Sequence, residues 1–444
     1  MAISATSGLV SNIDYQSLIT QLLSIKRQSI QQLSREKSTL ESANSAYSTL
    51  NSKVLDLKTA ADALRTSAGF SVFTATSSDT LLLSATASSS ASSGTFNIVV
   101  SALAKAHKIA ANGVASDTST VAAGAGSFKF KVGSGTEQSV SVDATTTLTG
   151  LKDSVNALKA GVTASIVNDG SSPNPYRLIL TSDSTGTSNA VSITQNDTSL
   201  NFATTLQAAQ DASFSVDGLS MTRSSNTVSD AITGVSINLI SADPLKTTTL
   251  TVARDTSAIK SKISDFVSKY NSVVSQIKSN NRYDTTTKTS GAFFGDPVAR
   301  SIWDDLRRTM TGAVSGLPDT MNRLIHAGIS SDTDGVMSVD DSKLSSALST
   351  NFNDVVNLFI EGTTTSGFGK LVYDMANNIS DYADGRIKSK QNGLTKNISS
   401  IQMDITNKET GLAEYETQLR VQFTALESLL TSLKAQNNYL SSLG

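Results

Sequence analysis

One acidic segment of this sequence has the residue types of a metal site. In SSDTDGVMSVDDSKL, which begins at Ser330, the residues Asp332, Asp334 and Gly335 match half of a calcium-binding loop. Such a loop uses alternate oxygen ligands around a glycine turn and ends on a bidentate glutamate. Here the first ligand position is Ser330 and the last is Asp341. An Asp-Gly hairpin turn explains the segment better, so we predict no metal site.

Other catalytic patterns are incomplete. The chain has two histidines, His107 and His326, so it has no H-E-x-x-H zinc motif, and neither histidine lies near a nucleophile-elbow motif. GSGTEQ and GFGKLV each contain G-x-G but complete no nucleotide-binding pattern. The absence of cysteine excludes disulfides and thiolate-ligated metals. We predict no catalytic residues, no metal, no cofactor and no enzymatic activity.

A short arginine-rich helix is also predicted to be an ordinary solvated face. In GDPVARSIWDDLRRTM, Arg300, Arg307 and Arg308 are interleaved with Asp304 and Asp305. The whole chain is nearly balanced, with 36 basic and 38 acidic residues and a net charge of −2. A nucleic-acid-binding domain normally has a clearly basic face. We therefore expect no nucleic-acid partner.

The length and composition indicate a multidomain chain with much polar surface. At 444 residues, the expectation is about three domains. No stretch of about 18 apolar residues is present, so no membrane span is expected. The first residues contain neither a basic region nor an apolar core of a signal peptide. If the protein leaves the cell, we expect it to do so without a cleaved signal.

The elements with the strongest periodicity lie at the two ends of the chain. After a predicted N-cap at Asp14, apolar residues recur in steps of four and three, which is the seam of a coiled coil. One irregular pair of steps surrounds Ser29. The N-terminal positions predicted to form an assembly seam are Leu18, Leu22, Ile25, Leu33 and Leu40.

The closing helix repeats this pattern. Its predicted assembly-seam positions are Leu412, Tyr415, Leu419, Phe423, Leu426, Leu430 and Leu433. We expect the two helices to pair antiparallel, with Leu18 near Leu433. This register would place Gly411, a weak point within a helix, opposite Glu41, and it predicts a hinge at that level.

Between the helices the period changes to two, which indicates strands. Residues 127–193 read as a β-β-α-β-β unit, and GTFNIVVSAL from Gly94 reads as a half-buried strand. The segment SFSVDGLSMTRSSNTVSDAITGVSINLI, from Ser213, reads as strand, Asp-Gly turn, strand, short helix and strand. The predicted fold class is therefore α+β multidomain, with a long antiparallel terminal coiled coil and two inserted small β-rich domains.

The expected domains follow from these elements. They are a terminal coiled-coil leg (1–42 plus 408–444), a helical leg domain (43–70 plus 254–407), a β-rich head domain (71–110 plus 206–253) and an inserted β-β-α-β-β head domain (111–205).

Six segments, in order along the chain, carry a resemblance to a known family. They are SGLVSNIDYQSLITQLL, GTFNIVVSALAKAHKI, FVSKYNSVVSQI, GAFFGDPVARSIWDDLRRTM, AGISSDTDGVMSVDDSKLSSALSTNFNDVVNLF and RVQFTALESLLTSLKAQNNYLSSLG. Together they resemble the flagellar filament-capping proteins of the hook-associated protein 2 family. The inserted unit is similar to small modules found in flagellins and hook-associated proteins.

This resemblance implies an extracellular structural protein of motility at the tip of the bacterial flagellum. Such a protein forms a small ring, a pentamer in the family pattern, and promotes flagellin folding and polymerisation during filament elongation. The implied partners are other copies of the chain, flagellin, the hook-associated junction protein and an export chaperone. The implied route out of the cell is the flagellar type III system.

Two other functions remain open at this point. Another flagellar axial protein, a flagellin or a junction protein, would share the terminal helices but not the middle motifs. A secreted adhesin would instead use its β domains in cell adhesion, to bind host surface glycans.

Overall fold

The computed structural model of the protein describes residues 14–441. The helices in chain order are α1 (Tyr15–Asp62), α2 (Ser67–Phe70), α3 (Leu148–Ala157), α4 (Thr256–Asn280), α5 (Pro297–Thr311), α6 (Asp341–Thr350), α7 (Phe352–Phe359), α8 (Phe368–Ser380) and α9 (Arg386–Ser441). Short 3₁₀ turns occupy Thr187–Asn189 and Leu324–Ala327. The opening Ser-Gly-Leu motif of the sequence lies outside the described residues.

The strands fall mostly in the middle of the chain. They are β1 (Phe73–Ser77), β2 (Leu83–Ala87), β3 (Gly94–Ala102), β4 (Ala106–Ala110), β5 (Gly126–Val132), β6 (Gln138–Val142), β7 (Val162–Asn168), β8 (Tyr176–Thr185), β9 (Val191–Asn196), β10 (Thr204–Gln207), β11 (Ala212–Val216), β12 (Leu219–Arg223), β13 (Thr227–Ile232), β14 (Val235–Leu239), β15 (Thr248–Arg254), β16 (Tyr283–Asp284), β17 (Thr289–Ser290), β18 (Ile329–Ser331) and β19 (Met337–Val339).

The chain divides into two compact units, and the first is helical. It combines residues 1–70 with 259–444. The predicted cap of α1 is confirmed, because the Asp14 carboxylate accepts a hydrogen bond from the Ser17 amide at 2.9 Å. α1 then runs for 48 residues and α9 for 56. The two helices lie antiparallel, as the fold class predicted.

The core of this unit surrounds the inner half of α1. Its side chains Tyr47, Leu50, Val54 and Leu57 are all buried, as is Leu64 just beyond the end of the helix. Three other helices supply contacts to this part of α1. The Gln276 side chain of α4 donates to the Ala46 carbonyl, Lys58 donates to Asn377 of α8, and Gln391 of α9 donates to the Asn44 carbonyl. The inner half of α1 is therefore a central core helix.

The second unit, residues 71–258, is β-rich and contains two hydrophobic clusters. In one, an antiparallel sheet of order β1-β15-β3-β11-β12 shares a cluster with the sheet β13-β14-β2. In the other, the sheets β10-β4-β8-β7 and β6-β5-β9 enclose α3. The predicted order β-β-α-β-β is confirmed in β5, β6, α3, β7 and β8.

One segment of the β-rich unit differs from its sequence-based prediction. The predicted short helix after β12 is the strand β13, which pairs with β14. The inward residues Val228 and Ile232 are buried in the sheet. Gly234 makes the tight turn possible, because its φ of 73° lies in the left-handed region. The hairpin with β14 and burial in the cluster shared with the five-stranded sheet outweigh the local helical pattern here.

The acidic segment that resembled half of a calcium loop is a hairpin. β18 pairs with β19, and the Asp332 carboxylate accepts hydrogen bonds from the amides of Asp334 and Val336 at 2.9 and 2.8 Å. This carboxylate therefore caps its own turn, as the hairpin interpretation predicted. Asp340 caps the following helix α6 through the amides of Ser342 and Lys343.

Candidate assembly surface

The outer parts of α1 and α9 bury a small apolar seam against each other. Ile19, Leu23 and Leu419 are buried there, and Leu412, Tyr415 and Phe423 pack against them. The rings of Tyr15 and Phe423 lie with centroids 4.8 Å apart. Arg420 donates to the Gln16 side chain at 3.0 Å. These contacts define how far each helix extends relative to the other.

The predicted register of the two helices is wrong. Because Tyr15 lies level with Phe423, Leu433 extends about 15 Å beyond the start of α1 and does not face Leu18. A four-three pattern fits its partner in several registers, and the aromatic and Arg420 contacts select one of them.

The predicted hinge at Gly411 depended on this register, so the observed register does not support it. The contact between Gln391 and Asn44 places Glu41 well away from the level of Gly411. α9 also continues through Gly411 as one helix.

The predicted assembly-seam positions of α1 differ in their burial. Leu33 and Leu40 are half-buried, in the four-three series that also contains Ile19 and Leu23. Leu18, Leu22 and Ile25 are instead 40%, 40% and 66% exposed. The true series runs Ile19, Leu23, Lys26, Ile30 and Leu33, so the irregular steps at Ser29 disappear.

This difference in burial has a simple physical origin. Leu18 adjoins Ile19 and Leu22 adjoins Leu23, so the sequence contains two parallel apolar stripes about 100° apart around the helix. We call Leu18, Leu22 and Ile25 the outer stripe. α9 covers only the other stripe, and the outer stripe remains on the surface of this chain. Its role in assembly stays a prediction.

The predicted seam positions of α9 fall into two groups, one up to Phe423 and one beyond it. Leu412, Tyr415, Leu419 and Phe423 lie on the seam with α1, as expected for a coiled coil. Leu426, Leu430 and Leu433 continue the same four-three series beyond the first described residue of α1, and we call them the tail stripe. Leu426 is 41% exposed, Leu433 is 50% exposed and Leu430 is half-buried.

Polar groups determine how the outer pair fits together. The Lys26 ammonium lies 4.3 Å from the centroid of the Tyr415 ring, in a cation–π contact. Lys26 occupies a seam position where an apolar residue would be usual. Arg420 also pairs with Glu416 at 2.8 Å. Lys26 was not predicted from the sequence, because it belongs to the series of Ile19 and Leu23 and not to that of Leu18 and Leu22.

At the inner end of the pair, Asp296 links three helices. Its carboxylate caps α5 through the Val298 amide at 2.8 Å, and it pairs with Lys390 of α9 at 2.8 Å. Tyr47 of α1 packs on the neighbouring Phe293, with ring centroids 4.7 Å apart. Burial acts to raise the pKa of the Asp296 carboxyl, but Lys390 and the Val298 amide outweigh it and hold that pKa below its usual value.

The other candidate residues have structural roles. Asp305 pairs with Arg386 of α9 at 2.8 Å and with Arg308 at 3.5 Å. The Nδ1 atom of His107 accepts a hydrogen bond from the Val191 amide at 3.0 Å. Within residues 14–441, no group of three or more His, Asp or Glu side chains is placed to hold a metal ion. Over the same residues, no helix is both long and apolar enough to cross a membrane.

Within residues 14–441, the paired terminal helices carry exposed apolar side chains, and a β-rich unit lies between them in the sequence. Comparison with known proteins specifies the class. The sequence pattern of the flagellar hook-associated protein 2 C-terminus matches residues 209–435, and that of its N-terminus matches residues 11–107. The flagellin hook IN motif matches residues 127–184, within the inserted unit.

Relatives match along nearly the whole chain. The flagellar hook-associated protein 2 of Escherichia coli K12 is 29% identical over 99% of this chain and 98% of its own length. The B-type protein of Pseudomonas aeruginosa is 28% identical over 95% and 93%. The crystal structure of the D1-D2-D3 domains of the flagellar cap protein FliD from Escherichia coli aligns with a TM-score of 0.65 and 29% identity, over 79% of this chain and 99% of that chain.

The chain belongs to the flagellar hook-associated protein 2 family, the family of flagellar cap proteins. It is a protein of the bacterial flagellum that takes part in filament assembly and motility.

Proposed function

We propose that this chain assembles into a small ring at the tip of the flagellar filament and promotes the folding and polymerisation of incoming flagellin. Its role there is structural and not catalytic. The observation that carries the proposal is the exposed outer stripe, together with the exposed Leu426 and Leu433 of the tail stripe, on helices that are otherwise paired within the described part of the chain. Contiguous apolar surface of this kind marks a protein interaction site.

The proposal assigns a partner to each part of the molecule. The terminal leg (1–42 plus 408–444) meets neighbouring subunits and filament subunits. The helical leg domain (43–70 plus 254–407) supports it, and the two head domains (71–110 plus 206–253, and 111–205) form the exposed tip. During export by the flagellar type III route, the chain would use a flagellar export chaperone. At the filament it would rest on flagellin and, at first, on the junction protein.

The seam residues are the point at which to test the proposal. The variant with Leu426, Leu430 and Leu433 all changed to Asp places three charges on the tail stripe. Wherever that stripe is buried in an assembly, each charge costs several kcal/mol. The free subunit should keep its wild-type melting temperature, because the described part of α1 does not cover these residues. Cells with this variant as their only copy should shed unpolymerised flagellin and swim poorly.

A matched control uses the opposite face of the same helix. Ser428, Ser432 and Ala435 have the same four-three spacing and are exposed, so changing all three to Asp adds the same charge at the same depth of the chain. This control should assemble normally. Normal filaments and motility with the tail-stripe variant would contradict the proposal, as would an equal defect in the control.

A further inference from the structure

His107 joins the two sheets that enclose α3. It lies on β4, in the four-stranded sheet, and its Nδ1 atom accepts a hydrogen bond from the Val191 amide at 3.0 Å. Val191 is the first residue of β9, the edge strand of the three-stranded sheet. The imidazole is half-buried, and Val191 is 4% exposed within the core that both sheets share. This side chain therefore connects the two layers at the edge of their core.

An irregularity in the pairing of β4 with β8 accommodates this histidine. Ala106 pairs with Thr185 and Lys108 with Thr181, so three residues of β8 lie opposite His107 alone. Bulges of this kind change the direction of side chains and are common beside functional sites.

The buried Ser182 of β8 satisfies the backbone of the histidine at this point. The Ser182 hydroxyl accepts a hydrogen bond from the His107 amide at 2.9 Å and donates one to the Ser184 carbonyl at 2.8 Å. The backbone of His107 is thus held by β8, and its ring is left to hold β9.

The contact with Val191 requires a neutral imidazole. The lone pair of Nδ1 is the acceptor, and a proton on that atom turns it into a second donor. Protonated His107 would then face the Val191 N–H group with an N–H group of its own. A buried amide without an acceptor is unfavourable, and an edge strand has no further strand on that side to supply one.

The ionisable groups of the elements packed against β4 have other partners or lie far from the ring. These elements are β8, β9, β10 and the 3₁₀ turn Thr187–Asn189, and only β8 carries such groups, namely Tyr176, Arg177 and Asp183. Tyr176 and Arg177 lie at the opposite end of β8, roughly 15 Å or more along the strand from the level of His107. Asp183 is exposed and accepts a hydrogen bond from the Thr163 hydroxyl at 2.6 Å.

The remaining charged groups around the site are also accounted for. Lys105 and Lys108, on either side of His107 in the chain, are exposed. Asp211 accepts hydrogen bonds from the amide and the hydroxyl of Thr187, both at 2.7 Å. The Val191 amide is therefore the partner that a proton on the ring displaces.

We propose that His107 is a pH-sensitive link between the two sheets, and that its protonation in mild acid releases the start of β9. The link is local to the β-rich unit, and it goes beyond the proposed function because it does not depend on assembly. Histidine is the side chain whose charge normally changes between about pH 5 and 8, so the release belongs to that range.

The small number of histidines makes a direct test possible, since His107 and His326 are the two in the chain. Amide hydrogen exchange of the full-length protein is measured at about pH 7.5 and 5.5 and divided by the intrinsic exchange rates at each pH. Protection of the Val191 amide should fall about tenfold in acid, the effect of losing one hydrogen bond. Amides of α4, in the other unit, should keep their protection. The fall should follow the titration of the His107 ring signal in NMR spectra.

Two variants separate the link from a general effect of acid. His107→Asn places an amide oxygen, which does not titrate, near the position of Nδ1, so protection of Val191 should become independent of pH. His326→Gln changes the exposed histidine of the other unit and should leave the fall intact. In this second variant the remaining ring signal belongs to His107, so the comparison holds even if His107→Asn is unstable.

The proposal is overturned if Val191 protection in the wild type is equal at the two pH values, or if the fall persists in His107→Asn. It is also overturned if His326→Gln abolishes the fall, or if every amide of the chain loses protection in parallel, which indicates global unfolding. None of these outcomes bears on filament assembly, so the cap function is judged separately by the tail-stripe variant.

Discussion

The two halves of α1 have the same apolar periodicity but differ in how far their apolar side chains are buried. In the inner half, Tyr47, Leu50, Val54 and Leu57 are inaccessible to solvent or nearly so. In the outer half, only Ile19 and Leu23 are buried among the described residues, beside apolar neighbours that remain exposed. The difference is the number of partner helices: α4, α8 and α9 surround the inner half, whereas α9 alone supports the outer half.

This comparison shows how one continuous helix serves two purposes. The inner half provides the free energy that keeps the helical unit folded. The outer half packs against α9 through a small apolar cluster, and its outer stripe stays exposed on the surface of the chain. Because free energies of local opening depend on local packing, the outer pair should open more readily than the inner core.

The largest expected effect comes from a matched pair of leucine truncations on this helix. Leu57→Ala removes a fully buried side chain and should cost about 3 kcal/mol of unfolding free energy, through lost burial and a cavity. Leu22→Ala alters a side chain on the surface of the chain and should change that free energy by less than about 0.5 kcal/mol. Urea unfolding of the purified subunits measures both.

The variant with the smaller effect on stability, Leu22→Ala, should have the larger direct effect on assembly. Leu22→Ala should weaken assembly, read by sedimentation and by motility, while its fold is intact. Comparable losses of stability in the two variants would contradict the comparison, because they would make the outer half an ordinary part of the core.

The sequence predicts the elements of this protein better than it predicts their pairing. Asp14, the Asp-Gly hairpin at Asp334 and the β-β-α-β-β order are confirmed because each depends on residues close together in the chain. The predicted register of α1 on α9 is wrong because two helices with a four-three pattern can pair in many alignments equally well. Only long-range contacts such as Tyr15 with Phe423 select one.

For a related reason, the sequence does not tell which of the two adjacent apolar stripes of α1 packs against α9. Leu18 and Ile19 are nearly equal in hydrophobicity, so the sequence does not say which of them faces the partner helix. The segment that forms β13 is similar, since its burial against distant strands decides its conformation. Local patterns therefore identified the terminal helices, and the structure was needed to separate the side chains of the intrachain seam from the exposed ones.

The inner half should also be sensitive to acid through Asp296. Its pKa is held below the usual value, so its contribution to stability is fully present above the unfolded-state pKa, roughly 4. That contribution is lost as the pH falls through the lower pKa of the folded state. Asp296→Ala also removes a helix cap and should cost about 1–2 kcal/mol at neutral pH.

Unfolding free energies of the wild type and the variant, measured between neutral pH and about pH 3, test this. The gap between the two proteins should narrow on acidification. Asp304→Ala removes an exposed carboxylate from the same helix and should stay within about 0.5 kcal/mol of the wild type. A gap that widens in acid would reverse the sign assigned to Asp296.

The smallest expected effect concerns the contact between Lys26 and Tyr415 in the outer pair. A cation over an aromatic ring at an exposed site contributes about 0.5–1 kcal/mol. Lys26 also stands in the seam, so a shift of α1 by one heptad would move its ammonium away from the Tyr415 ring. A double-mutant cycle with Lys26→Gln and Tyr415→Leu, read as local opening free energies from amide exchange of the outer pair, should give a coupling of that size.

Arg27→Gln, at the next position, should show no coupling to Tyr415. Additive effects of the Lys26 and Tyr415 changes would mean that the apolar seam alone holds the register, and the outer pair would then be free to slide where the inner core cannot.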